Sequence, residues 1–262
     1  MIMRWKRLLT FLVCGLLLGC AKFPPSSSTL DATRLTFVVN FAGPINPSYI
    51  YIVAIKVTNP APNSNPLMTS LTNGPIPVTD VGSLNGMIGG WPTHYVVYAP
   101  NLTPNLYQVY RFPLSTSTTA PVNLSFPGVY VGDVLQSDLI NPQNADGSYG
   151  QTLGFDIDTR FLDQYTTGPG AVQQIQVNIL TANVAALSES DVNERVMDAI
   201  GNQSQLAEAT FNFPVTINLN TGFTYVSGQG NMPVEAAGDT FPTGSNLPAV
   251  DMTSWSITVT PP

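Results

Sequence analysis

Leu35, Phe37, Val39 and Phe41 alternate with Thr36, Val38 and Asn40, the period of two that places one set of side chains on each face of a strand. Residues 49–57, Tyr-Ile-Tyr-Ile-Val-Ala-Ile-Lys-Val, are apolar on nearly both faces. A strand of that kind needs packing above and below, so it is expected at the centre of a sheet. Pro44 and Pro47 fall between the two runs, where a missing N–H breaks no ladder. Further runs with strand character cover 94–99, 106–112, 122–126, 151–159, 172–180, 210–218 and 254–260, separated by Pro, Gly and Asn. Short strands joined by turn residues predict antiparallel pairing in two stacked sheets.

One stretch has a different period. Val192, Val196 and Ile200 lie four apart, with Ser188 or Ser190 before them as an N-cap and Gly201 after them as a C-cap. Glu189 and Asp191 sit where a helix dipole is positive, and together these signals predict one short helix over 188–200. The expected fold class is therefore all-β: an antiparallel β-sandwich, immunoglobulin-like or related, with one short helix, over residues 35–262. The stretch at 115–121, Ser-Thr-Ser-Thr-Thr-Ala-Pro, is a candidate split into two domains; the length range of all-β domains favours one.

Before residue 35 the strand pattern is absent. Arg4, Lys6 and Arg7 form a basic head, residues 8–18 are an uncharged run of eleven, and Leu17-Leu18-Gly19-Cys20 closes it. Such a run is too short to cross a hydrocarbon core of about 30 Å as a helix, so it reads as an export signal and not as a spanning anchor. Head, run and closing tetrad resemble the bacterial lipoprotein signal peptide with its lipobox, an aliphatic residue, a tolerant position, a small residue and Cys. The resemblance covers the first twenty residues. It implies that 1–19 are removed and that Cys20 becomes a diacylglyceryl cysteine, with a further acyl chain such as palmitate on its amino group. The thiolate is the nucleophile that accepts the lipid, and at about 0.8 kcal/mol per buried methylene two or more chains hold firmly where one holds marginally. Residues 20–34, the lipidated cysteine and a Pro/Ser stretch without periodicity, are expected to be a flexible tether. The implied location is extracytoplasmic, lipid-anchored to the bacterial membrane. Ala21, where lipoproteins retained in some inner membranes carry Asp, favours the outer membrane where one exists.

Charge narrows the partners. The chain has nine Lys and Arg against sixteen Asp and Glu, and three of the bases but none of the acids lie before Cys20, so the mature chain keeps six against sixteen, a net of −10. Nucleic acid and anionic lipid both call for a basic face, so no nucleic-acid partner is expected and the membrane is held through the lipid alone. Both cysteines, Cys14 and Cys20, lie in the first twenty residues. The exported domain therefore has no disulfide available and depends on its core.

The candidate chemistry is sparse. His94 is the sole histidine and starts an apolar strand; with no later cysteine and no Gly-x-Ser-x-Gly, no catalytic residue is assigned. Asp156 and Asp158, two apart in Leu-Gly-Phe-Asp-Ile-Asp-Thr, and Asp146 in the turn Asn-Ala-Asp-Gly, are the candidates for calcium, which takes roughly six to eight oxygen ligands. A carboxylate pair could also hydrolyse a glycan. Phe155 and Ile157 facing inward would leave Asp156 and Asp158 on the wet face of a half-buried strand, which is the favoured reading, and no cofactor is assigned. Trp91, Tyr95, Tyr98, Tyr107 and Tyr110 fall within twenty residues. They are the candidate ligand-binding residues, for a glycan or a protein partner, but cross-strand packing is the favoured reading. Tyr95 and Tyr98 differ in parity, as do Tyr107 and Tyr110, so one of each pair is expected buried and the other partly exposed. The functional expectation is a cell-envelope lipoprotein acting as a non-enzymatic binding or structural module. The alternatives are a membrane-anchored glycan hydrolase and a subunit of a surface assembly.

Overall fold

A computed structural model of the chain describes residues 32–58, 74–77, 87–100, 107–113, 128–134, 140–162, 172–183, 196–201, 214–240 and 247–262. The signal and lipidation residues, the tether up to residue 31, the 115–121 stretch and the run at 122–126 lie outside the described residues. Ala32–Pro262 is one compact unit. Its strands are β1 (Arg34–Phe41), β2 (Tyr49–Thr58), β3 (Ile76–Pro77), β4 (Ile88–Gly89), β5 (His94–Tyr98), β6 (Tyr107–Arg111) and β7 (Val129–Asp133), followed by β8 (Thr152–Asp158), β9 (Gln174–Asn183), β10 (Val196–Ala199), β11 (Val215–Asn218), β12 (Thr224–Val226) and β13 (Met252–Thr260).

All strand pairs are antiparallel, in two principal sheets. The smaller has the order β12-β13-β1-β8, and the larger β10-β9-β2-β5-β6-β7. Two short strands share the outer edge of β9: β11 pairs with Gln174 to Val177 and β10 with Leu180 to Ala182. The sheets face each other across Leu35, Phe37, Val39 and Phe41 of β1, Tyr51, Val53, Ile55 and Val57 of β2, and Trp255, Ile257 and Val259 of β13, with inward residues of β5, β6, β8 and β9 completing the core. Phe37 stacks on Phe155 at 5.0 Å and Tyr107 lies on Phe155 at 4.8 Å between ring centroids. This is the expected all-β sandwich.

The two sheets differ on their outer faces. The smaller is wet: Asn40 bonds Ser254 and Thr152 there, and Arg34 meets Asp156. The larger is dry on both across β9, β2 and β5. Ile50, Ile52, Ala54, Tyr95, Val97, Phe112, Leu180 and Ala182 form a second cluster behind it, closed by Met87 and Ile88. That second layer explains why β2 alternates so weakly, since neither of its faces meets water.

The helix expected over 188–200 is corrected in its described part. Val196–Ala199 is strand β10, bulged at Met197 and paired with Ala182, Thr181 and Leu180 of β9. Residues 188–195 lie outside the described residues. Val196 belongs to the cluster behind the large sheet and Ile200 to the core between the sheets, so the spacing of four never defined one face. The unpaired edge of β9 offers a ladder of backbone partners that outweighs a modest local preference for helix. Strand β7 also escaped sequence reading. It follows Gly128, which adopts φ +77° and stands so close to Arg111 that a Cβ would meet its carbonyl oxygen at 2.7 Å. Only glycine fits that approach.

Candidate functional site

Parity separates the five aromatic candidates. Tyr98 and Tyr107 point into the core between the sheets, and Tyr95 and Tyr110 point behind the large sheet. Tyr95, Tyr98 and Tyr107 are all buried, while Tyr110 and Trp91 are half-buried. The expected split therefore holds for the β6 pair and fails for the β5 pair, because the second layer also covers Tyr95. Burial pushes up the hydroxyl pKa values of Tyr95, Tyr98 and Tyr107.

The reachable aromatics form a ladder that ends at an edge. Tyr95 stacks on Tyr110 at 5.1 Å, and Tyr110 meets Tyr130 of β7 edge-on at 5.7 Å. Exposure rises outward along it, from none at Tyr95 to half at Tyr130. Tyr110 donates its hydroxyl hydrogen to Gln108 Oε1 at 2.8 Å, which leaves the Gln108 amide nitrogen directed by no partner among the described residues. Burial and a hydrogen bond to Asp133 raise the Tyr130 hydroxyl to about 12. The exposed Tyr130 ring beside the half-buried Tyr110, with an amide and a carboxylate next to them, offers the mix of apolar and hydrogen-bonding surface that a sugar presents. Tyr130 and Asp133 were missed in the sequence because neither the turn before them nor their pairing with β6 was legible. Trp91 sits apart, its ring under the Lys56 ammonium at 5.4 Å, and burial lowers Lys56 to about 8.

The three calcium candidates do not converge on one point. Asp146 bonds the amide and hydroxyl of Ser148, closing its own turn. Asp156 pairs with Arg34, and Asp158 accepts from the Arg160 backbone and guanidinium. His94 is fully buried, bonded to Thr93 through Nδ1 at 3.0 Å, and burial with the nearby Arg111 charge lowers it to about 3. The imidazole is neutral and out of reach of a substrate.

A second group of carboxylates, not anticipated from the sequence, lies where β10 meets β13. Asp198 is fully buried; its Oδ1 accepts from Ala199 N at 2.8 Å and its Oδ2 from Met252 N at 2.6 Å, stitching the large sheet to the small one. Asp251 accepts from Gly238 N with both oxygens, at 3.1 and 3.0 Å. Oxygen atoms of Asp198, Asp239 and Asp251 lie within 4.8 Å of one another. Burial raises the pKa values of Asp198 and Asp251, and for Asp198 the charges of Asp239 and Glu235 add to it. A concavity of about 510 Å³ opens between Pro44, Tyr49, Tyr149 and Pro248, but none of these carboxylates lines it. Comparison with protein-family models, curated proteins and solved structures finds no match to this chain.

Proposed function

We propose that the protein is a cell-envelope lipoprotein, acyl-anchored through Cys20, whose β-sandwich is a non-enzymatic binding module. The observation that carries the anchor is the basic head, uncharged run and Leu17-Leu18-Gly19-Cys20 in direct succession. The net of −10 on the mature chain fits attachment by lipid and not by surface charge. The binding role is supported by the Tyr110–Tyr130 edge with Gln108 and Asp133, which suits a glycan. The buried carboxylates argue for binding over hydrolysis, because among the described residues Asp198 and Asp251 spend their oxygens on backbone N–H groups, whereas glycosidases hold two carboxyl groups across a substrate.

Intact-mass spectrometry of the membrane fraction tests the anchor. The expected species lacks residues 1–19 and carries acyl mass on Cys20, and Cys20→Ser leaves unacylated precursor. A mature chain that starts elsewhere without lipid overturns the reading. Sedimentation with insoluble glycans tests the module: the parent should co-sediment and Tyr130→Ala should not, with its melting temperature retained.

A further inference from the structure

Val234–Gly238 crosses the end of the sandwich after β12 without joining a sheet. Glu235 Oε1 accepts from the indole Nε1 of Trp255 at 2.6 Å, and both its oxygens stand 3.3 Å from the backbone N of Gly201, just past β10. Gly238 N bonds the Asp251 carboxylate at the foot of β13. Among the described residues, every hydrogen bond from Val234–Gly238 to the two sheets thus involves a carboxylate. Beneath it Trp255 is 1% exposed.

We propose that Val234–Gly238 is a proton-latched strap, docked over Trp255 while Glu235 keeps its proton and lifting from the indole when that proton leaves to solvent. The latch stands on where its groups are. Asp239 comes from the strap's own end, Asp251 from the foot of β13 and Asp198 from β10, so three further carboxyl groups face Glu235 from the elements packed around it. Full ionisation would set like charges side by side in a site that water barely enters. A proton on Glu235 relieves this, and the protonated carboxyl still accepts from Trp255 and Gly201. A divalent cation would relieve the repulsion as well, but it needs about six or more oxygens or waters, and both oxygens of Asp198 and of Asp251 already accept from backbone N–H groups. Burial, with the Asp239 and Asp251 charges, raises Glu235 to about 8. The strap is therefore closed in an acidic or neutral medium and opens in an alkaline one.

The test uses the full-length protein in detergent carrying Trp5→Phe and Trp91→Phe, so that Trp255 is its only tryptophan whether or not residues 1–19 are removed. Its emission and acrylamide quenching are followed from pH 5 to pH 10, alongside elastase nicking at Val234, Ala236 and Ala237. Nicking rates are divided by those of an unstructured peptide at the same pH. The expected result is a red shift and greater quenching with a midpoint near 8, and nicking that rises about tenfold per pH unit below the midpoint and levels off above it. Glu235→Gln, which keeps an acceptor for the indole and cannot ionise, should flatten both curves. Asp239→Asn, which removes one repelling charge, should shift the midpoint to lower pH. Flat curves in the parent, or an unshifted midpoint in Asp239→Asn, overturn the latch. So does re-docking by millimolar calcium at pH 9, which would make the cluster a cation site.

Discussion

Tyr107 reaches from the large sheet to the small one and accepts the Gly154 backbone N–H with its hydroxyl oxygen at 3.2 Å. Its neighbour Tyr98, with ring centroids 4.9 Å apart, buries a hydroxyl that has no partner among the described residues. The two tyrosines share a face of the large sheet, and among the described residues only Tyr107 contributes a hydroxyl hydrogen bond. Tyr107→Phe strands a buried N–H and should cost about 1 to 3 kcal/mol, whereas Tyr98→Phe removes an unsatisfied group and should leave stability within about 0.5 kcal/mol or raise it. Chemical denaturation checks both; equal losses would contradict the distinction.

Gly154 is a glycine for reasons of space. A Cβ there would meet Ile140 Cδ1 at 2.7 Å and Cγ1 at 2.8 Å. Ile140 is 43% exposed and can partly yield, so Gly154→Ala should lose about 1 to 2 kcal/mol, the lower part of the range for overpacking. Adding Ile140→Ala should restore most of the melting temperature. A double variant no better than the single one would place the strain in the β8 backbone.

Exposure along Tyr95, Tyr110 and Tyr130 sets an order of cost. Tyr95→Ala empties a fully enclosed site and should cost about 3 to 5 kcal/mol. Tyr130→Ala should stay near 0.5 kcal/mol, the range of surface substitutions, with Tyr110→Ala between them. Urea melts of the three variants report the order directly, and a costly Tyr130→Ala would make that ring a packing element and not a binding surface.

His94 makes the fold sensitive to acid. Its pKa falls from the usual 6.5 to about 3 on folding, so the unfolded chain takes up a proton below pH 6.5 that the folded chain refuses until about pH 3. Stability is fully present above pH 6.5 and is lost as pH falls towards 3, by up to about 5 kcal/mol. Since the chain has one histidine, its single imidazole Cε1–H resonance, in protein carrying no histidine tag, should not titrate between pH 7 and pH 5. A midpoint near 6.5 would show the ring open to water.

Residue parity made the strand framework legible. β1, β2, β5, β6, β8, β9 and β13 all follow alternations or apolar runs visible in the sequence, and the wet positions of Asp156 and Asp158 follow from the same count. What parity could not show was the second layer behind the large sheet. Met87, Ile88 and Phe112 reach Tyr95 from separate segments, so no local pattern announces that both faces of β5 are dry. The carboxylate group was hidden for a similar reason. Asp198 sits in a segment with helix-like spacing, and Glu235, Asp239 and Asp251 come from turn-rich sequence where acids are ordinary surface residues. Only the meeting of β10 with β13 makes them neighbours.

The pairing of β1 with β13 sets Arg34 opposite Thr260, so the innermost ladder of the small sheet joins segments more than two hundred residues apart. Contacts so distant in sequence close late, because a long loop must be ordered before it is rewarded. β1 therefore lacks one of its two neighbours until almost all of the described chain has been synthesised. For an exported lipoprotein, as proposed, this order of events postpones closure of the sandwich until β13 has emerged.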